Sequence, residues 1–121
     1  MWFDMPDDPL KGRVEILHLT GGDIAEIRDQ AWEVRNVFDK DSETGFRSEQ
    51  KYYPGRDRQL TVCAAVVGWE NFVDEVGKAM ACTEENKKLW AREDGFMRFV
   101  NESRAALAEI VAKEREQLEK N

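Results

Sequence analysis

At 121 residues, with 41% apolar and 36% charged side chains, the chain has the size of one domain and can bury a modest core beneath a heavily charged surface. Its 18 basic and 25 acidic residues leave a formal charge of −7, a field that repels a phosphate backbone, and Arg56, Arg58, Lys87 and Lys88 are interleaved with acids, which argues against nucleic acid as a partner. The longest uncharged run, Gln59 to Trp69, is far short of the roughly twenty apolar residues a membrane helix needs, and Met1-Trp2-Phe3-Asp4 lacks the basic start and apolar core of a secretion signal. We therefore expect a cytoplasmic protein with no membrane segment.

Residues 1–12, with Pro6 and Pro9 among Asp4, Asp7 and Asp8, read as an irregular N-terminal segment. Its two large aromatics, Trp2 and Phe3, either tuck onto the domain or are offered to a partner. Alternation of Val14, Ile16 and His18 with Glu15, Leu17 and Leu19 predicts a strand over Arg13 to Leu19. Thr20-Gly21-Gly22-Asp23 then punctuates the chain, and Ile24 to Ala31 has helical spacing behind a Thr20 or Asp23 cap. Trp32 to Phe38 alternates like a second strand, with continuation of the helix as the alternative. Residues 39–58 show no period and read as a long loop, whose Phe46, Tyr52 and Tyr53 either pack back on the domain or order against a partner.

Leu60, Cys63, Ala64 and Val67 fall at helical spacing, with Val62 and Val66 widening the stripe, and Gly68 is expected to end that helix. Glu70 to Ala81 reads as a turn-rich connector anchored by Phe72, Val76 and Met80. Thr83 opens a short helix with Glu84 and Glu85 in its first turn and Leu89 and Trp90 on its apolar face. Asp94-Gly95 separates it from a final helix whose stripe runs Phe96, Phe99, Val100, Ser103, Leu107, Ile110, Val111 and Leu118. Residues 113–121 form a charged helical extension. The expected fold is a single α+β domain over 1–121, with a small N-terminal β portion packed on a helical C-terminal half that ends in a long amphipathic helix.

No constellation of residues asks for catalysis. Asp74 with Glu75, and Glu84 with Glu85, are adjacent pairs that diverge in direction and have no nucleophile nearby in sequence. Asp39, Asp41 and Glu43 lack the glycine and distal glutamate offsets of a calcium loop. Gly21-Gly22 lacks the spacing and the Lys-Ser or Lys-Thr pair of a phosphate loop and reads as a tight turn. Cys63, Cys82 and the lone His18 have no ligand spacing, so we expect neither a metal nor a cofactor, and two reduced thiols. What remains is protein-binding surface, for which the candidates are Trp2, Phe3, Tyr52, Tyr53, Trp69, Phe72 and Leu118, with Trp69 read first as a core anchor.

The segment Val66-Val67-Gly68-Trp69-Glu70-Asn71-Phe72-Val73-Asp74-Glu75-Val76-Gly77, followed by Thr83-Glu84-Glu85-Asn86, resembles the small tail assembly chaperones of long-tailed bacteriophages and prophages. In that family a V-x-x-W-x-x-x-x-D-x-x-G turn precedes a T-x-E-N helix start. The resemblance covers roughly the last sixty residues. It implies a non-enzymatic protein that keeps a tail or tape-measure polypeptide soluble until the tail tube is built, through hydrophobic grooves and helices, and it leaves self-association open. The alternatives are a minor structural or connector protein of the tail and a bacterial regulatory adaptor acting through its C-terminal helix.

Overall fold

Val14 and Ile16 point to one side of a strand and are fully buried, and around them the computed structural model, which describes residues 1–120, builds an antiparallel three-stranded sheet. Its strands are β1 (Trp2–Asp4), β2 (Arg13–Ile16) and β5 (Val66–Glu70), in the order β1-β2-β5. The fold is α+β. The N-terminal residues are not irregular throughout: Trp2 pairs with Glu15 and Asp4 with Arg13, and the Arg13 guanidinium lies 4.5 Å from the centre of the Trp2 ring. Residues 5–12 are the turn between the two strands, where the Asp8 carboxylate accepts from the Leu10 and Gly12 amides.

Helix α1 (Gly21–Ala31) starts where the sequence places it. Thr20 accepts from the Asp23 amide while Asp23 accepts from the Thr20 amide, so two orphan donors of the first turn are satisfied reciprocally. The chain then enters β3 (Trp32–Phe38) with no intervening loop and returns as β4 (Phe46–Tyr52). The expected loop over 39–58 is thus corrected: only its first part, turning at Gly45 with φ +80°, is a loop. Phe46-Arg47-Ser48-Glu49-Gln50-Lys51-Tyr52 is a strand in full register with β3, from Trp32 opposite Tyr52 to Phe38 opposite Phe46.

Helix α2 (Pro54–Ala65) begins on a proline, whose missing N–H costs nothing at that position. It ends two residues earlier than expected. Val66 and Val67 belong to β5, and Gly68 sits inside that strand rather than closing the helix. A bulge explains why: Glu15 pairs with Gly68 but Ile16 pairs with Val66, so Val67 is the extra residue and points outward. That displacement lets Val66 and Trp69, three apart, both face the core.

The longest element, α4 (Asp94–Lys120), buries Phe96, Met97, Phe99, Val100, Ser103 and Leu107. Apart from Ser103, these meet Val14, Ile16, Val62, Val66, Trp69 and Phe72 in one cluster, so the helix lies on both β2 and α2. Each large apolar side chain so buried contributes about 1.5–3 kcal/mol. Asp94 and Gly95 form the first turn of α4 instead of a separator. Short α3 (Glu84–Trp90) is capped as expected by Thr83, which accepts from the Asn86 amide. Arg58 ties α2 to the α3–α4 junction by donating to the Ala91 carbonyl at 2.9 Å and standing 2.9 Å from the Asp94 carboxylate, an ion pair rather than an aligned hydrogen bond. A second, smaller cluster joins α1 to α2 through Leu19, Ile27, Leu60, Ala64 and Ala65.

Candidate functional site

Of the residues expected to meet a partner, two are structural. Trp69 and Phe72 are buried, their rings stacked at 4.6 Å, and the Trp69 indole donates to the Met80 carbonyl at 2.8 Å, which leaves neither a face to offer. Trp90 and Phe96 close the same aromatic cluster around Phe72. Val76, expected as an anchor of the connector, is 87% exposed at the tip of the Asp74–Gly77 turn, where Gly77 takes φ +82° and the Asp74 carboxylate accepts from the Val76 and Lys78 amides. Leu89, expected on the apolar face of α3, is exposed as well.

Trp2 and Phe3 are half-buried, Phe3 against the main core and Trp2 under Arg13. Leu118 is exposed on the last turns of α4, well past the buried stripe that ends at Leu107. Asn121, the end of the expected extension, lies outside the described residues.

Tyr52 and Tyr53 stand at the base of the β3–β4 arm. The Tyr52 hydroxyl donates to Asp57 and the Tyr53 hydroxyl to Glu33, both at 2.7 Å. Donation to a carboxylate favours the neutral phenol, so both hydroxyls titrate above the ordinary tyrosine value. Arg56 and Lys51 flank the Tyr53 ring at 4.5 and 5.0 Å.

Sequence reasoning missed two apolar surfaces. The first is the face of the arm itself. Trp32, Val34, Phe38, Phe46 and Tyr52 line one side of the ribbon and are all exposed, with Trp32 and Tyr52 packed ring to ring at 5.1 Å. The other side carries Glu33, Arg35, Arg47, Glu49 and Lys51, with Arg35 and Glu49 3.7 Å apart. The signal was present as period-two alternation in Phe46 to Tyr52, masked by the hydrophilic tally of the segment.

The second surface is a furrow around Leu17, which follows β2, donates its amide to the Ala65 carbonyl and leaves its side chain 52% exposed. A cleft of about 370 Å³ opens on each side of it. One cleft is bounded by Ile24 and by Asn101, Arg104, Ala105 and Ala108 of α4. The other lies between Asp23, Glu26 and Gln30 of α1 and Leu60, Cys63 and Ala64 of α2. Leu17 and Leu19 line both, so the two share an apolar floor, with His18 and Arg104 at one edge and Asp23 and Glu26 at the other.

No group of three or more His, Cys, Asp or Glu side chains that could hold a metal occurs among the described residues. Cys63 and Cys82 are free thiols, half-buried, and desolvation raises both above the ordinary thiol value. No helix among the described residues is long and apolar enough to cross a membrane. Comparison with protein-family models, curated proteins and solved structures found no match.

Proposed function

We propose that the protein is a non-enzymatic assembly factor of a phage or prophage tail, which holds a helical segment of a tail or tape-measure polypeptide in the furrow around Leu17. The observation that carries this reading is the half-exposed Leu17 between two clefts that share an apolar floor, with Arg104 at one edge and Asp23 and Glu26 at the other. An amphipathic helix laid there buries its apolar stripe on Leu17, Leu19 and Ala105, and meets Arg104 with one flank and Asp23 or Glu26 with the other. Such a grip shields an aggregation-prone segment by burial alone and needs no reaction centre.

The resemblance of Val66 to Asn86 to tail assembly chaperones supports the same reading. Those residues act structurally here: Trp69 locks the connector, Gly77 makes its turn, and Thr83 caps α3. They would fix the platform on which α4 lies.

The test is co-expression with the tape-measure protein of a long-tailed phage. Leu17→Glu should weaken binding to that protein by about tenfold, roughly 1.4 kcal/mol, and lower its soluble yield, while the variant's own melting stays unchanged. A client equally soluble with Leu17→Glu, or with the chain omitted, overturns the reading. Recovery of the chain from finished particles would favour the connector alternative.

A further inference from the structure

We propose that the arm formed by β3 and β4 is a self-association surface, on which a second copy of this chain lays its own arm face to face and in the opposite direction. The inference does not depend on the furrow or on its occupant.

Charge is sorted across the ribbon to an unusual degree. Every charged residue of the two strands, namely Glu33, Arg35, Arg47, Glu49 and Lys51, lies on one side. The other side is uncharged from base to tip in a chain whose residues are 36% charged and which carries a net −7. Two copies can therefore meet on it without juxtaposing like charges.

Stability asks for such a cover. A two-stranded ribbon alone is marginal in water and needs a third strand or a packed layer. Here the body meets the arm at its base, where β3 leaves α1, and all of β3 except Val37 is exposed.

The aromatic ends of the face complement one another when two copies run in opposite directions. Aromatic rungs stand at both ends, Trp32 with Tyr52 at the base and Phe38 with Phe46 at the tip, and the middle rungs are Val34 with Gln50 and Asn36 with Ser48. A twofold axis lying between the two faces and across the strands sets β3 over β3 and β4 over β4. Phe38 then covers Trp32, Phe46 covers Tyr52, and Gln50 of one copy meets Ser48 of the other, an isologous contact. The same axis sets Val34 of one copy over Asn36 of the other, so the contact is aromatic at both ends and mixed in the middle.

Opposed arms also put the acidic bodies at opposite ends of the contact. A seven-residue strand spans roughly 23 Å, well beyond the Debye length of about 8 Å at physiological salt, so repulsion between the bodies is screened.

Area sets the strength. At 150–250 Å² for a full aromatic side chain, the exposed fractions of the four rings and Val34 present roughly 500 Å² per copy. The pair would bury on the order of 1,000 Å², the size at which specific association begins, below the standard of about 1,600 Å². An interface of that size fits a reversible dimer rather than a permanent one.

The experiment is sedimentation equilibrium of the full chain over a wide concentration range at physiological salt. A reversible monomer–dimer equilibrium is expected. Phe38→Ser combined with Phe46→Ser should raise the dissociation constant by about tenfold or more, about 1.4 kcal/mol, with the melting of the body unchanged. Gln50→Lys and Ser48→Glu should each weaken the dimer alone, and an equimolar mixture should recover it. A chain that stays monomeric throughout, a dimer indifferent to the two Phe substitutions, or a mixture that fails to recover would overturn the proposal.

Discussion

Trp69 lies flat on Phe72, their ring planes 5° apart and their centroids 4.6 Å apart, while the Trp69 indole N–H donates across to the Met80 carbonyl. This one side chain thus fastens β5 to both ends of the connector that precedes α3. Trp69→Phe keeps an aromatic on the stack but removes the donor from a partly buried carbonyl. We expect a loss of about 1–3 kcal/mol, and about 3–5 kcal/mol for Trp69→Ala, where the cavity adds to the lost contact. Urea denaturation followed by far-UV circular dichroism measures both, and equal losses for the two variants would show that the indole N–H contributes nothing.

The chain has two tyrosines, so its phenolate absorbance reports on the base of the arm without interference. Hydrogen bonds to Asp57 and Glu33 raise both hydroxyls above 10.0. A raised acid in the folded state contributes stability that is fully present below pH 10 and is lost as pH climbs through the folded value. Spectrophotometric titration should place both transitions above that of free tyrosine. Asp57→Asn should bring Tyr52 back towards it and Glu33→Gln should do so for Tyr53, each leaving the other in place.

Asp23 gives the opposite sign at the acid end. Its carboxylate accepts from the Thr20 amide and lies beside the Thr20 hydroxyl, which together hold it below the ordinary aspartate value of 3.8. A lowered acid contributes stability that is present above the ordinary value and lost as pH falls through the folded one. Carbon-13 NMR titration of the side-chain carboxyl should show the depression in the native chain. In Thr20→Ala the shift should shrink only in part, because the hydroxyl is lost while the backbone amide of residue 20, the larger cause, still donates to the Asp23 carboxylate.

Desolvation raises the thiols of Cys63 and Cys82, and the thiolate is the reactive form. Alkylation at pH 7.5 should therefore run slower at both than in a short peptide, and unfolding in urea should bring both to the peptide rate. Fast labelling of either thiol in the native chain would contradict the burial described for it.

The misreading of α2 has a definite origin. The expected stripe, Leu60, Cys63, Ala64 and Val67, is only partly buried and Val67 is exposed; the buried set is Val62, Ala65, Val66 and Trp69, which has the same i, i+3, i+4, i+7 spacing of one helical stripe. The stripe is nonetheless split between a helix and a strand, because the bulge at Val67 lets a strand bury residues three apart. Periodicity alone could not distinguish the two. The closing helix was legible, since Phe96 to Leu107 repeats long enough to outvote any local exception, and so were the Thr20 and Thr83 caps, whose hydrogen bonds are made within three residues. The arm was half legible. Trp32 to Phe38 alternates visibly, but its mate is separated by a loop, and Arg47, Glu49 and Lys51 lowered the apparent apolar content of a strand that has no buried side. The furrow could not be read at all, because Leu17, Ile24, Leu60 and Ala105 come together only through packing of three helices.

The ribbon enters directly from Ala31 and leaves at Tyr53, whose amide donates to the Ala31 carbonyl at 2.8 Å. Its two feet are therefore already stitched together at the surface of the domain. Rungs can be deleted or inserted above that stitch in matched pairs without altering where α1 stops or where α2 starts. The protrusion behaves as a telescoping part, one whose reach selection or an engineer can reset while the rest of the molecule keeps its shape.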